Sequence, residues 1–279
     1  MPHPAALPLP APALRPFVAR YVDVAVDVPP GQWLVQRVSP PGGATLSLRW
    51  GGSVALLDTT PPTEPPAVAF TGPITRGGIT GCAGALRMFV IFFSAAGAHD
   101  IFGVEMPRLA NRSVDAGPLL GGWTRALADA VAAAPCAEGR RTAVEAALLE
   151  RMAARPVQPG LGARAAEWIG ARSGVGPVAE VPAALGVSER TLRRHFLREV
   201  GVPLKAYARW VRFSRAHEYL SGPEHRSWVD AAHVFGYADQ AHLVREYRHF
   251  AGEPPSHLVA GERLYDPAFV ADAGGRPRL

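Results

Sequence analysis

Arg190, Arg193, Arg194 and Arg198 sit close together in a segment whose Leu192, Phe196 and Val200 recur every four positions. That recurrence marks one stripe of a helix, so the apolar stripe faces a core and the guanidinium groups lie largely off it. A guanidinium presents a planar fork of donors that matches the acceptor pair on a guanine edge, or the oxygens of a phosphate. Further along, Gln240, Ala241, His242 and Arg245 alternate with Leu243, Tyr247 and Phe250 in the same manner. Gln can make paired hydrogen bonds to adenine, and an Ala methyl can contact the thymine methyl. These types at these spacings are suited to reading base edges of a duplex. A solvated helix face is the bland alternative for either segment alone, and Arg194, which recurs with Arg245, could also be structural.

Two elements of the same design must position these residues. Leu192, Arg194, Phe196 and Gly201 recur as Leu243, Arg245, Tyr247 and Gly252, each pair 51 residues apart. Upstream of the first set, Val178 to Ala184 reads as a short apolar-rich helix, Gly186 as a sharp turn and Ser188 as the cap of the next helix. Asp239 is the corresponding cap in the second set. Each copy therefore reads as a helix-turn-helix, and a pair of copies in register argues against a chance match. Pro182 falls inside the expected first helix, where it removes a backbone hydrogen bond and threatens a kink unless only the first turn is affected.

Residues from about 161 to 260 resemble the DNA-binding domain of the AraC/XylS family of bacterial transcription regulators. The stretch from Leu204 to Leu220 is similar to that family's long connecting helix, with Arg212, Phe213, Ala216 and Leu220 in its Arg-Leu-x-x-Ala-x-x-x-Leu places. The run from Gly236 to Leu243, followed by Gly252-Glu-Pro-Pro255, is similar to the family's second signature. Pro203-Leu204 departs from the usual polar residue followed by Pro, which shifts the helix start by one residue. The resemblance implies that Arg190, Arg193 and Arg194 reach DNA from the first unit, and Gln240, Ala241, His242 and Arg245 from the second. It also implies that the two helices stand roughly 34 Å apart on one face, so that one subunit covers two successive major-groove segments. Double-stranded DNA is the expected partner. RNA polymerase, a small-molecule effector and a second copy of the chain are further candidate partners.

Charge agrees with this reading, though its distribution says more than its total. The chain carries 29 basic and 24 acidic side chains. Between residues 188 and 215, Arg190, Arg193, Arg194, Arg198, Lys205, Arg209, Arg212 and Arg215 face only Glu189 and Glu199. Such a patch neutralises phosphates and makes binding fall with salt, with Arg198 and Lys205 as further expected DNA-binding residues and Lys205 as a phosphate contact. Arg212 and Arg215 have a structural alternative, pairing with Glu218 or other acids. Lys205 is the only lysine in 279 residues.

Length favours two domains, expected at 1–157 and 158–279. No run approaches the roughly 18 apolar residues of a membrane span. The Pro-rich start lacks the basic region of a secretory signal. With only Cys82 and Cys136 there is no disulfide framework, which fits a reducing cytoplasm. The expected fold class is α+β: an antiparallel β-rich N-terminal domain with two helices, then an all-α C-terminal domain of two helix-turn-helix units joined by a long helix. Strands are expected at Trp33 to Val38, Thr45 to Trp50, Val54 to Leu57, Ala67 to Phe70 and Leu86 to Phe93, the last central and covered on both faces. Helices are expected at about Leu119 to Ala134 and Gly139 to Ala154. Leu14 to Phe17, Tyr21, Gly72-Pro73, Phe92 to Gly103 and Asn111 to Val114 resemble the N-terminal domain of a group of AraC-like regulators, which implies a regulatory role.

Chemistry in this half is sparse. Cys82, His99, Asp100, Glu105, Arg49, Arg76 and Arg87 match no metal or triad spacing, so no cofactor, metal or enzymatic activity is expected. Cys82 reads as a small buried hydrophobe and His99-Asp100 as a local turn arrangement. Arg87, alone in an apolar strand, needs either an internal carboxylate or an anionic ligand, which makes it the candidate effector-binding residue. Three readings follow. In one the N-terminal domain senses an effector and biases DNA binding. In the second it is a ligand-independent interaction or dimerisation module, and in the third an enzyme carries an appended DNA-binding domain.

Overall fold

A computed structural model describes residues 5–59, 61–222, 227–252 and 269–271. One antiparallel sheet is built from β1 (Ala5–Ala6), β2 (Val18–Asp27), β3 (Trp33–Val38), β4 (Thr45–Leu56), β5 (Val68–Thr71), β6 (Gly78–Phe93) and β7 (Ser113–Asp115), all from the first part of the chain, and from β8 (Phe269–Ala271), which returns to it from the stretch expected to be all-α. The strand order is β1-β2-β6-β4-β5-β7, with β3 pairing both β6 and β8. β6 is the spine: β4 runs along one side of it, while β2 and β3 divide the other between its second and first halves. Leu46, Leu48, Phe89, Ile91 and Phe93 alternate inward and bury with Phe70 in a single core.

Three strand expectations change. The expected breaks between Thr45–Trp50 and Val54–Leu57 disappear into the continuous β4, whose register against β6 shifts around Gly51. Gly52 makes this possible, since its φ of +63° and its close approach to the Leu86 backbone leave no room for a Cβ. β6 starts at Gly78, well before the expected Leu86, because glycines with little β propensity are held by β3 and β4 on either side. β2, over which no strand is expected above, alternates Val22, Val24 and Val26 with charged and small residues.

Helices cover the sheet and carry the chain onward. α1 (Gly97–Phe102) and α2 (Ala116–Leu120) are short, and α3 (Trp123–Ala133) and α4 (Ala137–Ala154) place Leu127, Val131, Val144 and Leu148 in the sheet's core. The expected helix from Leu119 is divided between α2 and α3 at Gly121-Gly122, where Gly121 takes a φ of +98°. The helical part consists of α5 (Leu161–Ala171), α6 (Val181–Ala184), α7 (Glu189–Val200), α8 (Leu204–Leu220), α9 (Trp228–Val234) and α10 (Gln240–Ala251). It has two cores. Ala165, Ile169, Val181, Leu192, Phe196 and Tyr207 form one, and Phe213, Leu220, Phe235, Leu243, Tyr247 and Phe250 form the other. α8 contributes to both, so it joins them as a beam. An antiparallel β-rich N-terminal domain is thus followed by a helical C-terminal domain.

Candidate nucleic-acid interface

The two helix pairs, α6–α7 and α9–α10, are assembled by the same local rules. In α7 the Ser188 hydroxyl accepts from the Thr191 amide at 3.1 Å. In α10 the Asp239 carboxylate accepts from the His242 amide at 2.6 Å. Each cap satisfies an amide that the first helical turn leaves without a carbonyl. Each helix ends on a left-handed glycine, Gly201 at φ +86° and Gly252 at φ +77°. Their apolar stripes are fully covered, with Leu192 and Phe196 at 1% and 0% exposure and Leu243 and Tyr247 both at 0%.

The turns differ by one residue. Gly186-Val187 precedes the Ser188 cap, whereas Gly236-Tyr237-Ala238 precedes Asp239, and the added room is filled by the buried Tyr237 ring. Pro182 does not interrupt a helix. A 3-10 turn over Val178–Glu180 leads into α6, which places Pro182 in the first turn, where no intrahelical amide bond is required.

Among the side chains singled out by sequence, Arg190, Arg193 and Arg194 are exposed on α7 and form no ion pair among the described residues. Lys205, exposed at the start of α8, lines one groove with Arg193, Pro182, Leu197 and Leu204. Arg198 differs from its neighbours, because it donates to the buried Glu199 carboxylate at 3.0 Å and approaches His195 at 3.2 Å. On α10, Gln240, Ala241 and Arg245 are exposed. His242 is half-buried edge-on to Tyr237, with its Nδ1 accepting from the Ala238 amide at 3.4 Å. Its ring therefore serves the start of its own helix.

The basic patch is smaller than the sequence count. Arg209 makes a two-pronged pair with Glu246 at 2.7 and 3.1 Å, joining α8 to α10. Arg215 pairs with Glu218 at 2.9 Å. Arg212 donates to the Gly174 carbonyl at 3.2 Å and to the Gly236 carbonyl at 3.5 Å, and its guanidinium lies over the Tyr237 ring. It thereby ties the connection after α5 and the α9–α10 turn to α8. With Arg198, these are four of the eight basic side chains between 188 and 215, leaving Arg190, Arg193, Arg194 and Lys205. Glu246 and the two carbonyls lie 24 to 38 residues from their arginines, beyond any helix-spacing pattern.

Arg87 lies in the sheet, away from these helices. Of the two partners that the sequence leaves open, the carboxylate is present: Asp27 at 2.8 Å, with the Leu86 carbonyl also accepting at 2.8 Å. The pair is solvent-accessible, with Arg87 at 34% and Asp27 at 74% side-chain exposure. The Arg87 charge is thus not enclosed in the core, and Asp27 supplies it with a carboxylate partner. Cys82 is buried, and burial raises its thiol pKa, as for a small hydrophobe. Among the described residues no cluster of His, Cys, Asp or Glu is arranged to hold a metal, and no helix is long and apolar enough to cross a membrane.

A helix-turn-helix domain model matches residues 182–260, and a model described as a domain of unknown function (DUF6597) matches residues 8–115. A probable AraC family transcriptional regulator from Rhodopseudomonas palustris is 30% identical over 37% of this chain and 97% of its own, with a TM-score of 0.34. ToxT from Vibrio cholerae O395 aligns over 88% of this chain and 98% of its own at 10% identity, with a TM-score of 0.46. CdpR from Pseudomonas aeruginosa aligns over 64% of this chain and 47% of its own at 19% identity, with a TM-score of 0.34. No curated protein sequence matches the chain. The helix-turn-helix match, and the identity shared over nearly all of the Rhodopseudomonas regulator, show that the chain belongs to the AraC/XylS family of DNA-binding transcriptional regulators.

Proposed function

We infer that the protein regulates transcription by placing α7 and α10 in two successive major-groove segments, with residues 1–157 as the regulatory domain and 158–279 as the DNA-binding domain. The observation that carries this reading is the shared construction of the two helices. Each has a side-chain cap, a buried stripe at helical spacing and a left-handed terminal glycine, and each keeps polar side chains exposed off that stripe. Arg190, Arg193 and Arg194 read bases or grip phosphates from α7, and Gln240, Ala241 and Arg245 do so from α10. Lys205 supplies a phosphate contact beside Arg193. Arg198 and His242 contribute through the surface left over from their internal bonds.

Modulation by the N-terminal domain is supported by its direct seat on this machinery. Gly201, at the end of α7, packs against Pro73 and Met106, and Trp210 of α8 donates to the Pro40 carbonyl at 2.9 Å. A ligand-independent interaction domain is the second reading. Its support is the sheet's interior, where Phe70, Phe89 and Phe93 are at most 2% exposed and fill the space an internal ligand would need.

Footprinting of the full chain on library-selected DNA, across a salt series, tests the first reading. The expected result is two base-specific blocks centred about 10 base pairs apart. A single block, or diffuse protection that salt abolishes, would rule out two reading helices.

A further inference from the structure

The segment entering α5 passes between two carboxylates from opposite sides of the domain junction. Asp100, on α1 of the N-terminal domain, is buried with its Oδ1 beside Gly160, whose amide favours the carboxylate, while its Oδ2 is enclosed with no partner among the described residues. Glu199, in the last turn of α7, is 3% exposed, and its Oε2 accepts from the Gly162 amide at 2.6 Å. The two acids crowd the same backbone. A Cβ on Gly160 would stand 2.7 Å from Glu199 Oε2 and 3.1 Å from Asp100 Oδ1, and one on Gly162 would stand 2.8 Å from Glu199 Oε2. A side chain at either position would push the Glu199 carboxylate out of its place.

The surroundings treat the acids differently. Burial is the main cause that raises the Asp100 carboxyl to about 6; the nearby Glu199 charge raises it too, and the Gly160 amide and His99 oppose the rise. Burial also acts to raise Glu199, but the Gly162 amide, His195 and Arg198 outweigh it and hold that carboxyl below its ordinary range. Glu199 therefore stays ionised while Asp100 takes up a proton near neutrality. The charged or titratable groups facing Asp100 are His99 on its own helix and Glu199, with His195 and Arg198 behind it, on α7. Arg155 of the connecting segment lies beside Gly103 at the end of α1.

We propose that Asp100 and Glu199, meeting across Gly160 and Gly162, form a proton-operated latch that fastens the N-terminal domain to α7. A protonated Asp100 closes it, and an ionised Asp100 loosens it by burying a second negative charge beside Glu199. Opening returns Asp100 to water and to its ordinary carboxylate behaviour. The closed junction binds the proton more tightly than the open one, so closure is fully favoured below the ordinary Asp range. It then weakens as pH rises to about 6 and levels off above that. The latch deepens the regulatory reading above, on which its consequence for DNA binding rests.

Hydrogen exchange at the Gly160 and Gly162 amides of the full chain, corrected for the intrinsic pH dependence of exchange, measures the opening. Protection is expected to fall about tenfold from pH 5 to pH 7 in the wild-type protein, from the pKa difference between closed and open states. It should be flat in Asp100→Asn, whose folding is checked by retained protection in α3 and α4. In Glu199→Gln the fall should move to lower pH. His99→Gln and His195→Gln should preserve it, excluding an imidazole as the source. Wild-type protection that does not change, or a fall that survives in Asp100→Asn, overturns the latch. DNA affinity measured at the same pH values separates the two ideas: a latch that responds while affinity does not would overturn modulation and leave the latch standing.

Discussion

Four arginines on α7 that look alike in the sequence are not equivalent in the fold. Arg198 is partly spent on Glu199, whereas Arg193 forms no ion pair among the described residues and shares a groove with Lys205. Arg193→Ala is expected to cost ~1–3 kcal/mol on cognate DNA and to relax specificity at one or two base pairs. Lys205→Ala should weaken all sequences alike and lower the salt slope by about one. Binding isotherms on cognate and scrambled duplexes across salt check both, and equal losses on the two DNAs for Arg193→Ala would remove it from base reading. The caps at Ser188 and Asp239 were legible in the sequence because capping acts over three residues. The duties of Arg209 and Arg212 were not, because their partners are distant in the chain. The two alternatives at Arg87 were legible, but the choice of Asp27 depends on the pairing of β2 with β6, which places Ala25 opposite Arg87 and Asp27 opposite Ala85.

At the scale of elements, α8 sets how the two helix pairs stand relative to each other. Glu246 is buried, and its carboxylate is matched by the planar fork of Arg209. Arg209→Met should destabilise the fold by about 1–3 kcal/mol by leaving that carboxylate enclosed without its donors. Arg209→Lys should recover only part of this, since an ammonium cannot form the two-pronged contact. Chemical denaturation of the two variants gives the comparison. Periodicity made the helices legible, including the stripes of α7 and α10. The sheet was harder to read: β4 looks broken because its glycines form a bulge, and the first half of β6 looks like a loop because its pairing is long-range. A bulge is fixed by the strand opposite, and no window on its own strand reveals it.

Across the whole molecule the N-terminal domain and the helices share surfaces that no local pattern announces. The Gly77 amide donates to the His249 carbonyl, and Ala96 of the N-terminal domain is buried in the core around Phe196. Gly201 is the sharpest case, since it must be left-handed and also sits against the other domain. A Cβ there would lie 2.8 Å from Pro73 Cγ and 3.0 Å from the Met106 carbonyl oxygen. At Gly252, with nearly the same backbone, the nearest atom is the end of the Arg37 side chain at 3.3 Å. Gly201→Ala is therefore expected to lower stability by about 1–3 kcal/mol and by more than Gly252→Ala, as thermal denaturation of the two would show. Lys205 has a different kind of consequence. Because the chain otherwise uses arginine for its basic side chains, an amine-directed reagent meets one lysine, exposed beside Arg193. Apart from the chain's α-amine it is the one amine a dye could take without engineering, and a nucleic acid seated on α7 would shield it from acylation.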